Sequence, residues 1–234
     1  RVEYNVKDIE TRLAQIVRNW QDELRDILVQ KYGEDRGLKL ANRFGKALPM
    51  GYIEAVTPWI AAADVESMAQ LRDAHDVRMQ LYRPRKKGEG ALRFKVFRYG
   101  STIALSDALP MLENMGLRVL SEHPYDMEVP GMNICVQDFE VEPGQSADLD
   151  LEHLRDRFQI AFEQIWRGKV ENDGFNRLIL GAELDARQVT VLRAYCKYLL
   201  QTGLTYSQAY MERTLSAHPT ITRLLVELFE ARFD

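Results

Sequence analysis

Apolar and polar side chains alternate along two neighbouring stretches, Val77-Arg-Met-Gln-Leu-Tyr-Arg83 and Ala91-Leu-Arg-Phe-Lys-Val-Phe-Arg98. The residues between them, 84–90, are rich in proline, glycine and charge. Because residues two apart in a strand share a face, this spacing predicts a β-hairpin with one apolar and one solvated face. We expect the first strand to pair antiparallel with the second and to form an edge of the sheet. Phe94 should then face the core and Lys95 the solvent.

Further elements follow the hairpin in the order helix, strand, strand, helix. Ser106 is a candidate N-cap for a short helix that ends near Gly116, and a long helix closes the region. Two stretches between these helices, 117–120 and 132–141, are predicted strands. Residues 77–168 therefore read β-β-α-β-β-α. This order predicts an α+β, ferredoxin-like module in permuted form, because the extra first strand takes the edge position of the missing last strand.

Helices are predicted on both sides of this module. The first covers about residues 6–31, the last begins at Pro219, and capping-box patterns open two others, at residues 185–188 and 205–208. The apolar stripes of the first and last helices consist of Ile9, Leu13, Ile16, Trp20, Leu24 and Ile27, and of Ile221, Leu224, Leu225 and Leu228. We expect these stripes to be buried, with Trp20 in a packing role.

The composition is that of an ordinary globular protein, with 46% hydrophobic and 28% charged residues among 234. No stretch approaches the roughly 20 apolar residues that cross a bilayer, and the first residues do not form a signal peptide. The net charge of −4 argues against general nucleic-acid binding. We expect a cytoplasmic segment of a longer polypeptide that binds neither membranes nor nucleic acid. Cys135 and Cys196 should be buried free thiols.

The sequence predicts no catalytic, cofactor-binding or metal-binding residues. A dinucleotide fingerprint needs three glycines at a strand-to-helix turn, whereas Gly88-Glu-Gly90 lies between two strands and has Arg93 at the third position. None of the four histidines pairs with another at metal-ligand spacing. His123, beside Glu122 and near Asp126, is the strongest titratable cluster. We interpret it as a solvated loop edge rather than an acid–base or metal site.

Positive charge is concentrated in the hairpin, residues 83–98. The basic side chains are Arg83, Arg85, Lys86, Lys87, Arg93, Lys95 and Arg98, opposed by Glu89. One interpretation is a docking patch for a phosphate, a nucleic acid or an acidic protein surface. The alternative, which we favour, is a solvated hairpin whose charges protect an exposed sheet edge from aggregation.

Several longer motifs are distributed over the chain. They include Leu105-Ser-Asp-Ala-Leu-Pro-Met-Leu-Glu-Asn-Met-Gly-Leu-Arg-Val119, Asn172-Asp-Gly-Phe-Asn-Arg-Leu178, Leu192-Arg-Ala-Tyr-Cys-Lys-Tyr198 and Leu228-Phe-Glu-Ala-Arg-Phe-Asp234. Together they resemble the large, bacterial-type NAD-specific glutamate dehydrogenase family. The resemblance implies a very long polypeptide that converts L-glutamate, NAD and water to 2-oxoglutarate, ammonia and NADH. It also implies that this segment is N-terminal and inactive alone, because the family's catalytic lysines and NAD-binding glycines lie C-terminal to it.

The N-terminal half of that family contains ACT-like modules, which are ferredoxin-like folds associated with amino-acid sensing and assembly. The resemblance therefore implies an N-terminal helical segment at 1–75, an ACT-like module at 76–169 and a C-terminal helical segment at 170–234. The permuted order read from the residues fits such a module.

In ordinary ACT modules, effectors bind near the loop that joins the first strand to the first helix. The resemblance implies that Gly100, Ser101, Ser106 and Asp107 bind an effector. Gly100 would let backbone amides approach a carboxylate, and the helix N-terminus adds a favourable dipole. Asp107 would meet an ammonium group. The alternative, which we favour, is a plain loop and helix cap.

Two functions follow for the segment. It is a non-catalytic regulatory or assembly segment of an NAD-dependent glutamate dehydrogenase, or a purely structural oligomerisation segment without an effector site. The expected partners are the rest of the same polypeptide, other subunits of a homo-oligomer and, in the regulatory case, an amino acid. Nucleic-acid binding through the hairpin is the least favoured alternative.

Overall fold

The computed structural model describes residues 6–84, 92–144 and 150–233, with side chains in the first helix described from residue 15 onward. The helices are α1 Val6–Tyr32, α2 Glu34–Phe44, α3 Met50–Ala55, α4 Pro58–Ala69, α5 Leu105–Asn114, α6 Leu151–Trp166, α7 Leu178–Gly181, α8 Ala186–Gln201, α9 Gln208–Ala217 and α10 Pro219–Phe233. The strands are β1 Val77–Tyr82, β2 Leu92–Tyr99, β3 Leu117–Val129 and β4 Met132–Pro143, and a 3₁₀ turn covers Gly174–Arg177.

The four strands form one antiparallel sheet in the order β1-β2-β4-β3. β1 therefore lies at an edge and pairs with β2, as predicted for a strand that replaces the last strand of a ferredoxin-like module. Phe94 of β2 is buried, also as predicted. The α+β, permuted ferredoxin-like fold is confirmed.

β3 is longer than the sequence suggested, because it continues from residue 120 to Val129. Pro124 lies inside it, although a proline cannot donate a hydrogen bond to a neighbouring strand. β3 is the second edge strand of the sheet. Since half of the N–H groups of an edge strand have no neighbouring strand to bond, proline is tolerated there.

The two faces of β2 differ from the prediction. Lys95 and Phe97 are both buried, although they alternate with Phe94 and belong to the face that was expected to be solvated. The prediction that Lys95 faces solvent is therefore wrong. Its charge is compensated inside the protein by Asp138, a residue that alternation cannot identify.

Contacts divide the chain into two units. One comprises residues 1–79, 96–102 and 123–137, and the other comprises 80–95, 103–122 and 138–234. These units differ from the predicted division at residues 75 and 169, which stays a prediction.

The first unit has a core formed by its helices and by apolar side chains of β2, β3 and β4. Leu24 and Leu28 of α1 are fully buried in it. Trp20 packs edge-on against the ring of Tyr52, and its Nε1 donates to the carbonyl oxygen of Val56 at 3.0 Å. The packing role of Trp20 is thus confirmed. Ile16 is exposed, so the predicted stripe is not buried along its whole length.

Helices α1 and α2 approach closely at Gly37. A Cβ atom added there would lie 2.5 Å from Val29 Cα and 2.7 Å from the Leu28 carbonyl oxygen. Both are backbone atoms, so the only relief is a shift of one helix against the other. Glycine at this position therefore sets the distance between the two helices.

We expect Gly37→Ala to lower the free energy of unfolding by about 1–3 kcal/mol, the usual cost of overpacking. Gly51→Ala is the matched control, since residue 51 is exposed, helical and has no atom within 4 Å of an added Cβ. The control should raise stability by about 0.5–1 kcal/mol through lower chain entropy. Denaturant titrations of the two variants measure both values, and equal stabilities would contradict the close approach.

The second unit has an aromatic core. The ring of Phe94 lies 5.4 Å from that of Phe158 and 4.9 Å from that of Phe162, both on α6, and is stacked on Phe139 of β4 at 6.4 Å. Edge-to-face rings at such distances attract each other beyond their area of burial. The side chain of Gln159 also accepts a hydrogen bond from the Leu81 N–H at 3.0 Å, which attaches α6 to β1.

Candidate functional site

The predicted effector loop follows β2. Gly100 has a φ of +80°, which glycine adopts without strain. Its N–H donates to the Asn133 carbonyl oxygen at 2.8 Å, so this amide is not available to a carboxylate ligand. α5 begins at Leu105 with Ala104 in the N-cap position. The prediction that Ser106 caps the helix is therefore wrong, because the helix begins before it.

The other predicted effector residues are exposed at the start of α5. Ser106 Oγ lies 3.4 Å from Asp107 Oδ1, and Ser101 is exposed in the preceding loop. These contacts are those of a solvated loop and helix start. An effector site formed by Gly100, Ser101, Ser106 and Asp107 stays a prediction.

The basic side chains of the hairpin do not form one exposed patch. The guanidinium of Arg93 binds Asp138 with two contacts, at 2.9 Å and 2.8 Å. Lys95 is fully buried, with its Nζ 3.7 Å from Asp138 Oδ2 and 5.5 Å from the centre of the Tyr82 ring. Residues 85–87 lie outside the described residues. The interpretation as a solvated hairpin is therefore wrong for Arg93 and Lys95, whose charges are neutralised by Asp138, and it stays a prediction for residues 85–87.

Arg93 and Arg98 have pKa shifts of opposite direction. Burial by itself lowers the pKa of Arg93, but the hydrogen bond and negative charge of Asp138 outweigh it, so the pKa is raised. Arg98 has the opposite shift, since burial lowers its pKa, and its guanidinium donates to the Thr102 carbonyl oxygen at 3.0 Å.

The predicted thiols are buried and poorly nucleophilic. Burial raises the pKa of Cys135 to about 11, assisted by Asp126, which accepts a hydrogen bond from its Sγ at 3.1 Å. Burial also raises the pKa of Cys196. Since the thiolate is the nucleophile, neither cysteine is poised for catalysis at neutral pH. His123 is exposed, and within the described ranges no group of three His, Cys, Asp or Glu side chains could hold a metal ion.

The most distinctive surface lies among the last three helices. Asp185 and Gln188 form the predicted capping box that begins α8, and Gly203, with a φ of +85°, follows its end. Ser207, rather than the predicted Thr205, caps α9 through a hydrogen bond from the Tyr210 N–H. Both hydroxyls lie within one turn of the helix start, so sequence alone did not separate them. Pro219 begins α10 as predicted.

An apolar groove of about 510 Å³ lies between α8, α9 and α10. Its described lining is Val191, Leu192, Tyr195, Cys196, Leu199, Leu204, Tyr210, Met211, Thr214, Leu215, Leu225, Leu228, Phe229, Arg232 and Phe233. Aromatic rings border it: Tyr195 packs edge-on against Phe229 at 5.9 Å, and Phe229 lies 5.0 Å from Phe233.

The apolar stripe of α10 is exposed instead of buried. Ile221 is 56% exposed, Leu224 57%, Leu225 44% and Leu228 66%. The expectation that this stripe is buried is wrong for the segment described. Apolar residues at intervals of three and four identify one side of a helix, but they do not reveal which part of the chain covers it. The two facing stripes of α8 and α10 were the available signal for the groove.

This surface can bind an apolar partner and is unsuited to acid–base chemistry. Contiguous exposed apolar surface on a folded protein marks an interaction site far more often than scattered apolar residues do. The groove is therefore the candidate functional site, and its apolar lining suits contact with another apolar surface. Separately, no helix in the described part of the chain is both long and apolar enough to cross a membrane.

Three family models match successive parts of the chain. They describe glutamate dehydrogenase helical motif 2 at residues 27–71, the glutamate dehydrogenase ACT3 domain at 76–154 and glutamate dehydrogenase helical motif 3 at 170–234. The four-stranded module thus matches an ACT domain, and the groove lies within the third match.

Three curated relatives align with nearly the whole chain, and each is an NAD-specific glutamate dehydrogenase. The protein from Halomonas elongata is 41% identical over 233 residues, and that from Pseudomonas aeruginosa is 38% identical over 234. The protein from Mycobacterium tuberculosis is 36% identical over 231 residues, or 96% of the chain. The chain spans 14% of the length of each of these relatives.

Proposed function

Because the chain belongs to the NAD-specific glutamate dehydrogenase family, we propose that it is a non-catalytic assembly segment of such an enzyme. The longer polypeptide would convert L-glutamate, NAD and water to 2-oxoglutarate, ammonia and NADH, and would bind NAD outside this segment. It would act in the cytoplasm, as part of a homo-oligomer.

The observation that carries this proposal is the apolar surface of α8–α10. A groove bordered by Tyr195, Phe229 and Phe233 adjoins the exposed stripe of α10. Removing apolar surface from water is favourable by about 25 cal/mol for each Å². A partner that covers this surface is therefore bound more stably. The chain spans 14% of the length of the relatives, so the proposed longer polypeptide would supply such partners within itself and in neighbouring subunits.

Catalysis is assigned to other parts of the polypeptide. The sequence of this segment contains no complete G-x-G-x-x-G fingerprint or phosphate-binding loop. We expect the purified segment, supplied with L-glutamate and NAD, to form no NADH. Turnover that disappears on mutation of a residue in this chain would overturn the non-catalytic assignment.

The assembly role predicts that negative charges introduced into the α10 stripe weaken the assembly of the enzyme. In the full-length enzyme, Ile221→Glu combined with Leu224→Glu should lower the native mass or the thermal midpoint, because the covered carboxylates would be desolvated without partners. Light scattering after size-exclusion chromatography measures the first quantity, and calorimetry measures the second.

Ile160→Glu is the matched control for this experiment. Ile160 lies on α6 and is as exposed as Ile221, at 56%. It lies outside the proposed assembly surface, so its substitution should leave native mass and thermal midpoint unchanged. If the α10 double variant behaves like this control, α10 is not an assembly surface.

Amino-acid sensing at the Gly100 loop is the second candidate function. It is supported by the match to an ACT3 domain over residues 76–154 and by the exposure of Ser101, Ser106 and Asp107. Stabilisation of the enzyme by one amino acid, lost in Asp107→Ala, would favour it, since a ligand that binds only the folded state raises its stability.

A further inference from the structure

We propose that the groove between α8, α9 and α10 is occupied by an amphipathic helix from another part of the same polypeptide. Large apolar side chains of this helix, spaced three and four residues apart, would enter the groove, and a carboxylate on its border would meet Arg232. This inference rests on the assembly function and names the partner of that surface.

The lining of the groove selects an apolar occupant. Leu192, Cys196, Leu199 and Met211 contribute to its surface, together with the aromatic rings of α8 and α10. Pockets for small polar molecules combine apolar walls with several convergent polar groups. A zwitterionic amino acid in this groove would leave at least one charge without a partner, which is costly in an apolar site. An apolar protein surface leaves no such group unpaired.

The shape of the groove favours a helix. Three helices border it, and a groove of this kind accepts the side chains that one face of an amphipathic helix presents at positions i, i+3, i+4 and i+7. Residues with that spacing pack into the spaces between the side chains of the facing helices.

Charge adds a second condition on the partner. Of the described residues that line the groove, Arg232 is the charged one. Its guanidinium lies 5.7 Å from the centre of the Phe233 ring, and the ion pairs of the described chain do not include it. Arg232 is exposed at this end of the groove, so a glutamate or aspartate at the border of the covering helix would form a charge-assisted hydrogen bond with it.

The length of the relatives favours a helix of the same polypeptide. The relatives are about seven times as long as this chain, since it spans 14% of each. A helix tethered by a short flexible linker has an effective concentration on the order of millimolar. A second copy of the chain must bind from solution, without that advantage. Covalent linkage therefore favours a helix of the same polypeptide over a second copy.

The experiment places a reporter in the groove of the full-length enzyme. Leu228→Cys replaces a residue that is 66% exposed in this segment. A charged maleimide is added, and the modification of residue 228 is followed by peptide mass spectrometry. Cys135 and Cys196 are buried and have raised pKa values, so they react slowly. Modification in the native enzyme should be at least about tenfold slower than after unfolding, because a covered site reacts only when it opens.

Cross-linking then identifies the occupant. A photoreactive amino acid replaces Leu228 during synthesis of the enzyme, and the assembled enzyme is checked for activity and irradiated. The enzyme is assembled from a mixture of isotopically heavy and light subunits. A helix of the same polypeptide gives cross-linked peptides that are both heavy or both light, and the partner peptide should be amphipathic with an acidic residue.

The outcomes separate this inference from the assembly function. The inference would be overturned if residue 228 of the native enzyme were modified as fast as that of the unfolded enzyme. Cross-links that join heavy to light peptides would also overturn it, because they would show that another subunit occupies the groove. A third outcome is that residue 228 is protected from maleimide and its cross-linked peptides are all heavy or all light, while Ile221→Glu with Leu224→Glu leaves native mass and thermal midpoint unchanged. In that case the groove assignment holds and the assembly role of the α10 stripe fails.

Discussion

Asp138→Ala should lower the free energy of unfolding by about 3–5 kcal/mol, the usual cost of removing one partner of a buried ion pair. The carboxylate of Asp138 is buried and compensates two cations, Arg93 at 2.8 Å and Lys95 at 3.7 Å. Lys95 is fully buried, so water cannot replace the lost contact without disrupting the sheet. A denaturant titration of the purified chain measures the loss.

Glu142→Ala is the control for this prediction. Glu142 also lies on β4 and binds an arginine, Arg118, at 3.1 Å, but both side chains are largely exposed. Exposed ion pairs contribute about 0–1 kcal/mol, so this variant should be close to neutral. Lys95→Met should cost less than Asp138→Ala, because it leaves Asp138 paired with Arg93 and fills the site with an apolar side chain. Equal stabilities of Asp138→Ala and Glu142→Ala would show that the Asp138 cluster is solvated.

Phe94→Ala should lower the free energy of unfolding by about 3–5 kcal/mol, the range for truncating a buried aromatic side chain. Phe94 is buried against Phe158 and Phe162 of α6 and is stacked on Phe139. Its removal leaves a cavity that these rings cannot fill without moving the helix. The same titration applies, and calorimetry should show a lower midpoint.

The control for Phe94→Ala is Ile160→Ala on α6, the helix that Phe94 contacts. Ile160 is exposed, so its truncation should change stability by less than about 0.5 kcal/mol. If Phe94→Ala were equally mild, Phe94 would not hold α6 against the sheet, and the ferredoxin-like packing of this unit would be wrong.

The position of β1 at the sheet edge was predictable because the evidence for it is local. Alternation in 77–83 and 91–98, separated by a short turn-forming stretch, specifies both the strands and their pairing. The positions of the long helices α1, α8 and α10 were predictable for the same reason. Their apolar residues recur at intervals of three and four, and Asp185 with Gln188 marks the start of α8.

The burial of Lys95 was not predictable from alternation. A period of two assigns Lys95 and Phe94 to opposite faces, which is correct, but it does not reveal whether both faces are covered. The decisive residue, Asp138, is 45 positions from Arg93 in the sequence. Only pairing of β2 with β4 brings these charges together.

The groove and the effector loop differ in how much the sequence could indicate. The apolar sides of α8 and α10 were evident from their periodicity, whereas periodicity does not reveal whether an apolar side is covered. At the loop, the glycine at position 100 permits a positive φ, but the bond from its N–H to Asn133 depends on the turn that follows β3. Long-range pairing therefore decided the structure of the loop.

The exchange of the last strand for an extra first one affects the rate at which the sheet can form. β1 pairs with its neighbour in sequence across residues 83–91. In the unpermuted order, the strand at this edge would follow Trp166 and could find β2 only after the intervening helices and strands had been synthesised. Closing a longer loop costs more entropy, about 0.6 kcal/mol for each doubling of its length. The permuted order lowers the mean sequence separation of contacting residues, which favours early formation of the β1–β2 hairpin and faster folding of the module.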